Sequence, residues 1–393
     1  MISPEKILIV FPHNFFQRSS GVNRRYFEFV AYLKERGFSI DLLGLKNFGS
    51  DWTDFKRQNA GGLIDRLYLY NFRIGYQRQR IRTFFRRLMD SRGKGGSQES
   101  PLPDYAFPGM VSLFRKITRE NRYDYIINGY VYWANILREP LPGTVTKVLT
   151  IEDMISQKIF ESATEAVEMD ELLREEIARV NLFDKVICLS HEELTYFSAN
   201  AIHPDYYYVP VFMAKPDVHE RQKEYDILFI GYDNPDNIEG LEWFFGKVYP
   251  LLPVGLRFVI VGQCADHAPD LPGVTKVRYV EDTGDVYAGS RISINPLQKG
   301  TGMKVKVVES LAHGIPVVST PKGLVGMPPQ ILGSFIIAGE PSGFATEIVR
   351  LLSDPGWYEQ QRRTAGQTFD AYFETKAVRK VLDSVFPHKS PVI

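Results

Sequence analysis

The fold is decided by residues 291–320, which read RISINPLQKGTGMKVKVVESLAHGIPVVST. The stretch predicts, in order, an apolar strand, a turn bracketed by glycines, a short helix and a second apolar strand. Thr301 fits the N-cap of a helix over Met303–His313, and Gly314 fits the position just past its end. A strand, a helix and a strand in this order are typical of a parallel sheet covered by helices. The stretch therefore predicts an α/β fold.

Short apolar runs alternate with amphipathic ones along the rest of the chain. Ile227–Ile230 and Phe258–Val261 are apolar throughout, as in strands covered on both faces. A polar segment with little periodicity, residues 212–224, is interpreted as a linker. We therefore expect two Rossmann-like, doubly wound parallel-sheet lobes at 1–211 and 225–368. The predicted strands are Lys6–Phe11, Ser39–Leu43, Tyr123–Asn128, Lys147–Ile151, Asp184–Leu189, Tyr206–Val209, Asp226–Gly231, Arg257–Gly262, Lys276–Val280, Arg291–Asn295, Pro316–Thr320 and Ser334–Ala338.

The composition is that of a neutral globular protein. The 393 residues include 47 Lys and Arg and 47 Asp and Glu, so the charge gives no support for nucleic-acid binding. Two cysteines, Cys188 and Cys264, are too few for a disulfide framework. The N-terminal residues lack the pattern of a signal peptide, and no apolar run is long enough to span a bilayer. We expect a cytoplasmic protein.

Positive charge accumulates at the start of the helix predicted after the glycine turn. Backbone amides at a helix N-terminus suit a phosphate group. Lys304 and Lys306 lie in that first turn, where the helix dipole favours acids, at a cost of a few tenths of a kcal/mol unless an anion binds. Alternatively, Lys306 and Glu309 form a solvated pair one turn apart, and the glycines only delimit the helix. The residues alone leave both interpretations open.

Four segments, in order, resemble the nucleotide-binding lobe of the group 1 (family four) glycosyltransferases, which have the GT-B fold. The resemblance covers Asp226–Met327 and is looser in the first lobe, at residues 19–45 and 183–194. The segments are ILFIGYDNPDNIEGLEWFFGKVYPLL (227–252), LRFVIVG (256–262), VRYVED (277–282) and the stretch 291–320 quoted above.

The resemblance implies transfer of a sugar from a nucleotide sugar to a glycan or lipid-linked acceptor, in the synthesis of a bacterial surface polysaccharide. It implies a cleft between the lobes, with the donor bound mainly by the second lobe, and a C-terminal helix at 369–386 that packs back on the first lobe. No cofactor is expected besides the nucleotide sugar, which is the substrate. The implied stereochemical outcome is retention at the anomeric carbon.

The resemblance also assigns residues to the donor. Glu309 aligns with the glutamate that takes the ribose hydroxyls, and Lys306 and Lys304 align with basic residues that neutralise the diphosphate. The other implied donor positions are Gly231, Tyr232, Tyr279, Val280, Gly300, Thr301, Gly302, Met303 and Gly21.

Two sequence features that bear on the donor site are absent: a family glutamate and a metal-binding triplet. Many members carry another glutamate eight residues before the one that matches Glu309, where this chain has Thr301. The contacts to the donor sugar are therefore left open. No Asp-x-Asp triplet, which would suggest a Mn²⁺ or Mg²⁺ site, occurs in the sequence. We predict transfer without a metal ion.

Candidates in the first lobe follow the ends of predicted strands, where ligands gather in α/β folds. His13 and Asp153 are candidates for contacting or deprotonating the acceptor hydroxyl, although the residue types alone favour Asp153 as the cap of the next helix. The other acceptor-side candidates are Arg24, Arg25, Ser190 and His191; for the two arginines the alternative is a plain surface position.

The segment Arg73–Lys94 holds eight Lys and Arg residues against one acid, interleaved with aromatic and aliphatic residues. We favour an anionic membrane surface as its partner, which predicts peripheral attachment at the inner face of the plasma membrane. A solvated helix and a nucleic-acid contact are the alternatives, and the rest of the chain does not support the second.

Two other functions are compatible with the same architecture. A nucleotide-sugar epimerase would isomerise the donor without an acceptor, and a non-catalytic protein would bind the donor without turnover. A dehydrogenase is disfavoured because no Gly-x-Gly-x-x-Gly follows the first strand of either lobe.

Overall fold

The computed structural model of the protein describes residues 4–17, 21–78, 102–163, 168–217 and 221–387. The chain forms two units. The first comprises Met1–Leu189 and Glu193–Tyr208, and the second comprises Ser190–Glu192 and Val209–Ile393. Each unit is built on its own parallel sheet.

The first unit contains a seven-stranded sheet in the order β3-β2-β1-β4-β5-β6-β7, and all six neighbouring pairs are parallel. The order reverses between β1 and β4, which is where α/β folds open a crevice for ligands. The strands are β1 (Lys6–Val10), β2 (Ser39–Lys46), β3 (Arg66–Asn71), β4 (Tyr125–Gly129), β5 (Thr146–Ile151), β6 (Lys185–Cys188) and β7 (Asp205–Tyr208).

Helices connect these strands and cover the sheet. In α1, Tyr26, Phe29, Val30 and Leu33 are buried and recur at helical spacing, which places the apolar face against the core. The helices are α1 (Gly21–Glu35), α2 (Phe55–Gln58), α3 (described over residues 72–78), α4 (Pro108–Glu120), α5 (Ile155–Ser162), α6 (Met169–Val180) and α7 (His191–Asn200).

The second unit contains a six-stranded parallel sheet in the order β10-β9-β8-β11-β12-β13. Its order reverses between β8 and β11. The strands are β8 (Tyr225–Ile230), β9 (Phe258–Val261), β10 (Val274–Val277), β11 (Ser290–Asn295), β12 (Val317–Ser319) and β13 (Ile336–Ile337). The helices are α8 (Pro235–Trp243), α9 (Gly284–Ala288), α10 (Val305–Ala312), α11 (Pro341–Ser353), α12 (Pro355–Tyr372) and α13 (Thr375–Val385).

The predicted fold class is confirmed. Each of the twelve predicted strands overlaps an observed strand, and β3 is the strand that the sequence did not predict. Its residues are half-buried at the edge of the sheet, except Arg66, which is exposed. Among the described residues, no helix combines the length and the apolar character that crossing a membrane requires.

The C-terminal stretch 369–386 is not one helix, contrary to the prediction, because the chain breaks between α12 and α13. At the break, the Met213 amide donates to the Phe373 carbonyl (3.2 Å) and the Thr375 amide donates to the Met213 carbonyl (3.1 Å). The Lys215 ammonium lies 2.7 Å from the Asp370 carboxylate. The start of the predicted linker is therefore fixed to the second unit. Packing of the stretch 369–386 on the first lobe stays a prediction.

Candidate active site

A loop with two left-handed glycines connects β11 to α10. Gly300 has a φ of 107° and Gly302 a φ of 68°, conformations that residues with a Cβ rarely adopt. The loop stays non-helical through Lys304, which is the N-cap and makes no side-chain capping bond. The predicted cap at Thr301 is therefore wrong, and the helix begins at Val305 rather than Met303. The predicted position of Gly314 is confirmed, since it follows the C-cap with a φ of 62°.

The Lys304 side chain folds back over this loop. Its ammonium donates hydrogen bonds to the carbonyl oxygens of Thr301 (2.7 Å) and Gly302 (2.8 Å). The side chain thus closes the glycine loop and places a positive charge at the start of α10.

Lys306, the second residue of α10, is a half-buried cation without a carboxylate partner. Its ammonium donates to Asn237 Oδ1 (2.7 Å) and lies 4.1 Å from the centre of the Phe229 ring. Burial lowers its pKa to about 7, because a desolvated ammonium loses the water that stabilises its charge. Lys306 forms no ion pair with the described carboxylates, so the predicted alternative of a Lys306–Glu309 pair is wrong. The site is chemically suited to an anion.

Glu309 lies one turn after Lys306 and has a different partner. Its Oε2 accepts a hydrogen bond from the Tyr287 hydroxyl of α9 (3.0 Å). The Tyr287 ring is buried and stacks on the His313 imidazole, with centroids 4.8 Å apart and an interplanar angle of 10°. The orientation of the Glu309 carboxylate is therefore set from outside α10.

The loop that follows β8 packs against α8 and against the end of β9. Asn237, a buried residue in the first turn of α8, donates from Nδ2 to the Tyr232 carbonyl (2.9 Å). A Cβ added to Gly262, whose φ is 104°, would lie 2.1 Å from the Gly231 carbonyl oxygen. Glycine is required at 262 because the two backbones approach this closely.

These groups gather at the carboxyl edge of the second sheet, beside the point where the strand order reverses. The sequence predicted Gly231, the 300–303 loop, Lys304, Lys306 and Glu309 there, and each follows β8 or β11. Tyr279 and Val280 follow the outer strand β10, with Tyr279 80% exposed. Asn237 and Tyr287 were missed, because only the fold brings them to α10.

His13 and Tyr130 flank the reversal point of the first sheet. His13 follows β1 and lies 3.2 Å from the Ser50 hydroxyl through Nδ1, and burial lowers its pKa. Tyr130 follows β4 with a φ of 69°, a conformation that costs a bulky residue about 1–3 kcal/mol and is concentrated at functional sites. Of these two residues only His13 was predicted, because no local pattern of residues indicates a positive φ at a tyrosine.

Arg25 and Glu152 form a buried ion pair. The guanidinium Nη1 lies 2.6 Å from Glu152 Oε1, and both side chains are at most 2% exposed. Burial raises the pKa of the Glu152 carboxyl, and the Arg25 charge opposes that rise. The surface alternative for Arg25 is therefore wrong, whereas Arg24 is exposed and Gly21 is the first residue of α1.

Asp153 does not cap the helix that follows it, so the capping alternative is wrong. Its carboxylate lies 3.1 Å from the Lys158 ammonium. The Ile155 and Ser156 amides at the start of α5 donate instead to the two carboxylate oxygens of Glu176, each at 2.9 Å. The sequence did not identify Glu176, which comes from α6.

The remaining predictions for the first half of the chain are less constrained by the structure. Ser190 is buried after β6, and His191 begins α7. Most of the basic segment Arg73–Lys94 lies outside the described residues, which end at Arg78 on this side. Its contact with a membrane surface stays a prediction.

Comparison with known proteins finds a family domain in the second unit and one curated relative. Residues 224–354 match the family model described as "Glycosyl transferases group 1". A curated relative from Klebsiella pneumoniae, described as an "Uncharacterized 44.6 kDa protein in cps region", is 23% identical over 303 residues, which cover 70% of this chain and 76% of that protein.

Solved structures of similar fold cover nearly the whole chain. TarM has a TM-score of 0.69 at 11% identity, covering 98% of this chain and 99% of its own. Sucrose-phosphate synthase from Thermosynechococcus elongatus has a TM-score of 0.66 at 14% identity, covering 97% and 98%. Anabaena HepE in complex with UDP and glucose has a TM-score of 0.59 at 13% identity, covering 97% and 99%.

The likeness to solved structures over nearly the whole chain shows the GT-B fold. The domain matched at residues 224–354 is a glycosyltransferase domain, which supports an enzyme that uses a nucleotide sugar. More particularly, the chain carries the domain of the group 1 glycosyltransferases in its second unit. The resemblance noted in the sequence is thereby confirmed.

Proposed function

We propose that the protein transfers a sugar from a nucleoside-diphosphate donor held by the 300–304 loop and α10. Lys306 and Lys304 bind the diphosphate, and Glu309 binds the ribose hydroxyls. The observation that supports this most directly is the Lys306 ammonium, which is half-buried and faces an amide oxygen and an aromatic ring rather than a carboxylate. A diphosphate would supply the anion that this cation lacks.

The same groups would stabilise the leaving diphosphate. During transfer, the bond between the anomeric carbon and the β-phosphate oxygen breaks and leaves its electron pair on that oxygen. The acceptor hydroxyl oxygen bonds to the anomeric carbon and releases its proton. Two ammonium groups and the N-terminal end of α10 lie where the negative charge develops, so they lower the barrier electrostatically. The proposal includes transfer without a divalent metal ion and with retention at the anomeric carbon.

The acceptor is proposed to approach the carboxyl edge of the first sheet. His13 is a proposed proton acceptor there, because it follows β1 at the reversal point of the sheet and burial lowers its pKa, which favours the neutral imidazole. Asp153 is the second candidate. The name of the Klebsiella relative refers to a cps region, and this supports a capsular or other surface polysaccharide as the product. The proposed acceptor is a glycan or a lipid-linked glycan. The basic segment Arg73–Lys94 is proposed to contact an anionic membrane surface.

A thermal-shift screen with UDP-, GDP-, ADP- and CMP-sugars tests the donor site. UDP-sugars come first, because structures of similar fold contain UDP. A donor at about 100 times its Kd should add about 2.7 kcal/mol of stability. Lys306→Ala and Glu309→Ala should each erase the shift. Lys299→Ala, which removes an exposed lysine paired with Glu239, should keep it.

Three outcomes would contradict the proposal. Unchanged donor binding in both Lys306→Ala and Glu309→Ala would show that these residues do not form the donor site. The absence of a thermal shift with every donor would contradict the proposed use of a nucleotide sugar. Turnover that is abolished by EDTA and restored by Mn²⁺ would show that the transfer needs a metal ion.

A further inference from the structure

We infer that Asn237 is a positioning residue of the donor site, whose neutral amide orients Lys306 and leaves its charge uncompensated for the diphosphate. The inference rests on the proposed function and adds a residue that the sequence did not identify. Asn237 precedes Lys306 by 69 positions and comes from α8.

The two ends of the Asn237 amide have opposite and fixed roles. Nδ2 donates to the Tyr232 carbonyl (2.9 Å), and Oδ1 accepts from the Lys306 ammonium (2.7 Å). A flipped amide would face the ammonium with its own donor and the carbonyl with its own acceptor, so both hydrogen bonds would be lost. The amide thereby connects the loop after β8 to the cation of α10.

Two neighbours hold this amide in place. The Asn237 backbone amide donates to the N-cap side chain of Asn234 (2.8 Å), which fixes the first turn of α8. A Cβ added to Gly231 would lie 2.8 Å from Asn237 Nδ2, so glycine provides the room for the side chain. Asn237 itself is only 7% exposed. Its geometry is therefore set before any ligand binds.

A neutral amide orients the ammonium without neutralising it. The other groups that act electrostatically on Lys306 are Asp236 of α8, Lys304 of the glycine loop and the Cys264 thiol after β9. Burial raises the pKa of that thiol to about 11, so it carries no charge at neutral pH. A carboxylate in place of the amide would pair with Lys306 permanently and would repel a diphosphate.

Proton uptake separates this role from a merely structural one. At pH 7.5, a lysine of pKa about 7 is only about one quarter protonated, so binding an anion should draw in about three quarters of a proton. In Asn237→Asp, the new carboxylate keeps Lys306 protonated before the nucleotide binds. The affinity for the nucleotide should fall at least tenfold, and this proton uptake should fall close to zero.

The experiment is isothermal titration calorimetry at pH 7.5 in two buffers of different ionisation enthalpy. The ligand is whichever of UDP, GDP and ADP binds the wild-type protein most tightly. Asp236→Asn is the matched control: it removes a neighbouring charge that raises the pKa of Lys306 without contacting the ammonium, so the proton uptake should be at least as large as in the wild type. Asn237→Ser removes the acceptor without adding charge, so it should bind more weakly but retain the uptake.

Weakened binding by Asn237→Asp with the wild-type proton uptake would show a structural role and overturn the inference. Wild-type affinity in both Asn237 variants would also overturn it. The proposed function fails separately, if the wild-type protein binds none of the nucleotides or if Lys306→Ala keeps both the affinity and the uptake.

Discussion

Replacing Lys306 by methionine should stabilise the folded protein while it abolishes nucleotide binding. In the unfolded chain a lysine has a pKa of about 10.4, whereas burial lowers the pKa of Lys306 to about 7 in the folded protein. The difference of roughly 3.4 units corresponds to at most about 4.6 kcal/mol by which the folded state disfavours the charge. Methionine fills a similar volume without that cost.

The sign of the pH dependence follows from proton binding. Between about pH 7 and pH 10.4 the unfolded chain binds more protons at this position than the folded chain, so the stability of the wild type rises with pH in this window. The stabilisation by Lys306→Met should therefore fall by about 2 kcal/mol between pH 7 and pH 9. Loss of the hydrogen bond to Asn237 and of the packing of the lysine side chain against the Phe229 ring subtracts about 2 kcal/mol at every pH. The net gain should be about 2 kcal/mol at pH 7 and near zero at pH 9.

Urea unfolding of the wild type and Lys306→Met at pH 7, 8 and 9 measures this difference directly. Lys299→Met is the control, because it removes a lysine that is 70% exposed from the loop before α10, and its effect should not change with pH. If Lys306→Met is less stable than the wild type at pH 7, or if the difference is the same at all three pH values, the reasoning is refuted.

Three further predictions concern other contacts. Tyr287→Phe removes the hydrogen bond to Glu309 and should weaken nucleotide binding about tenfold, with less discrimination against 2′-deoxyribonucleotides. Equal affinities of the wild type and Tyr287→Phe by calorimetry would contradict this prediction. Arg25→Met leaves the Glu152 carboxylate buried without its partner and should lower the free energy of unfolding by about 3–5 kcal/mol in urea. The double replacement with Glu152→Leu should recover most of that loss, and no recovery would show that the pair is not the cause. Gly262→Ala forces a Cβ onto a carbonyl oxygen at a positive φ; it should lower the melting temperature by several degrees or prevent folding, and a wild-type melting curve would contradict this.

The fold was predictable from the sequence because its strands are apolar and its helices amphipathic. β8 and β9 consist of buried residues, apart from the half-buried ends of β8. β3 was not predicted, because its half-buried tyrosines and leucines at the sheet edge do not form a continuous apolar run. The start of α10 was misplaced for a local reason: a threonine between two glycines resembles a cap, although positive φ values keep this loop non-helical.

The candidate site was predictable where its residues lie within a motif segment. Lys304, Lys306 and Glu309 lie within one such segment, and Gly231 lies in another, so the motifs pointed to all four. Asn237 and Tyr287 reach them from α8 and α9, across 69 and 22 positions. The Arg25–Glu152 pair spans 127 positions. Side chains that orient other side chains produce no local sequence pattern, because the fold brings them to partners that are distant in the sequence.

The attachment of Met213 to the break between α12 and α13 bears on how this enzyme could be recombined with its relatives. A chimera joined at the start of the matched family domain, at residue 224, would take Met213 and Lys215 from one parent and their partners Glu374 and Asp370 from the other. A junction before Val209 keeps both contacts within one parental sequence. The natural unit of exchange in this chain therefore begins well upstream of the motif segments, at the extended segment that pairs with the break between the two C-terminal helices.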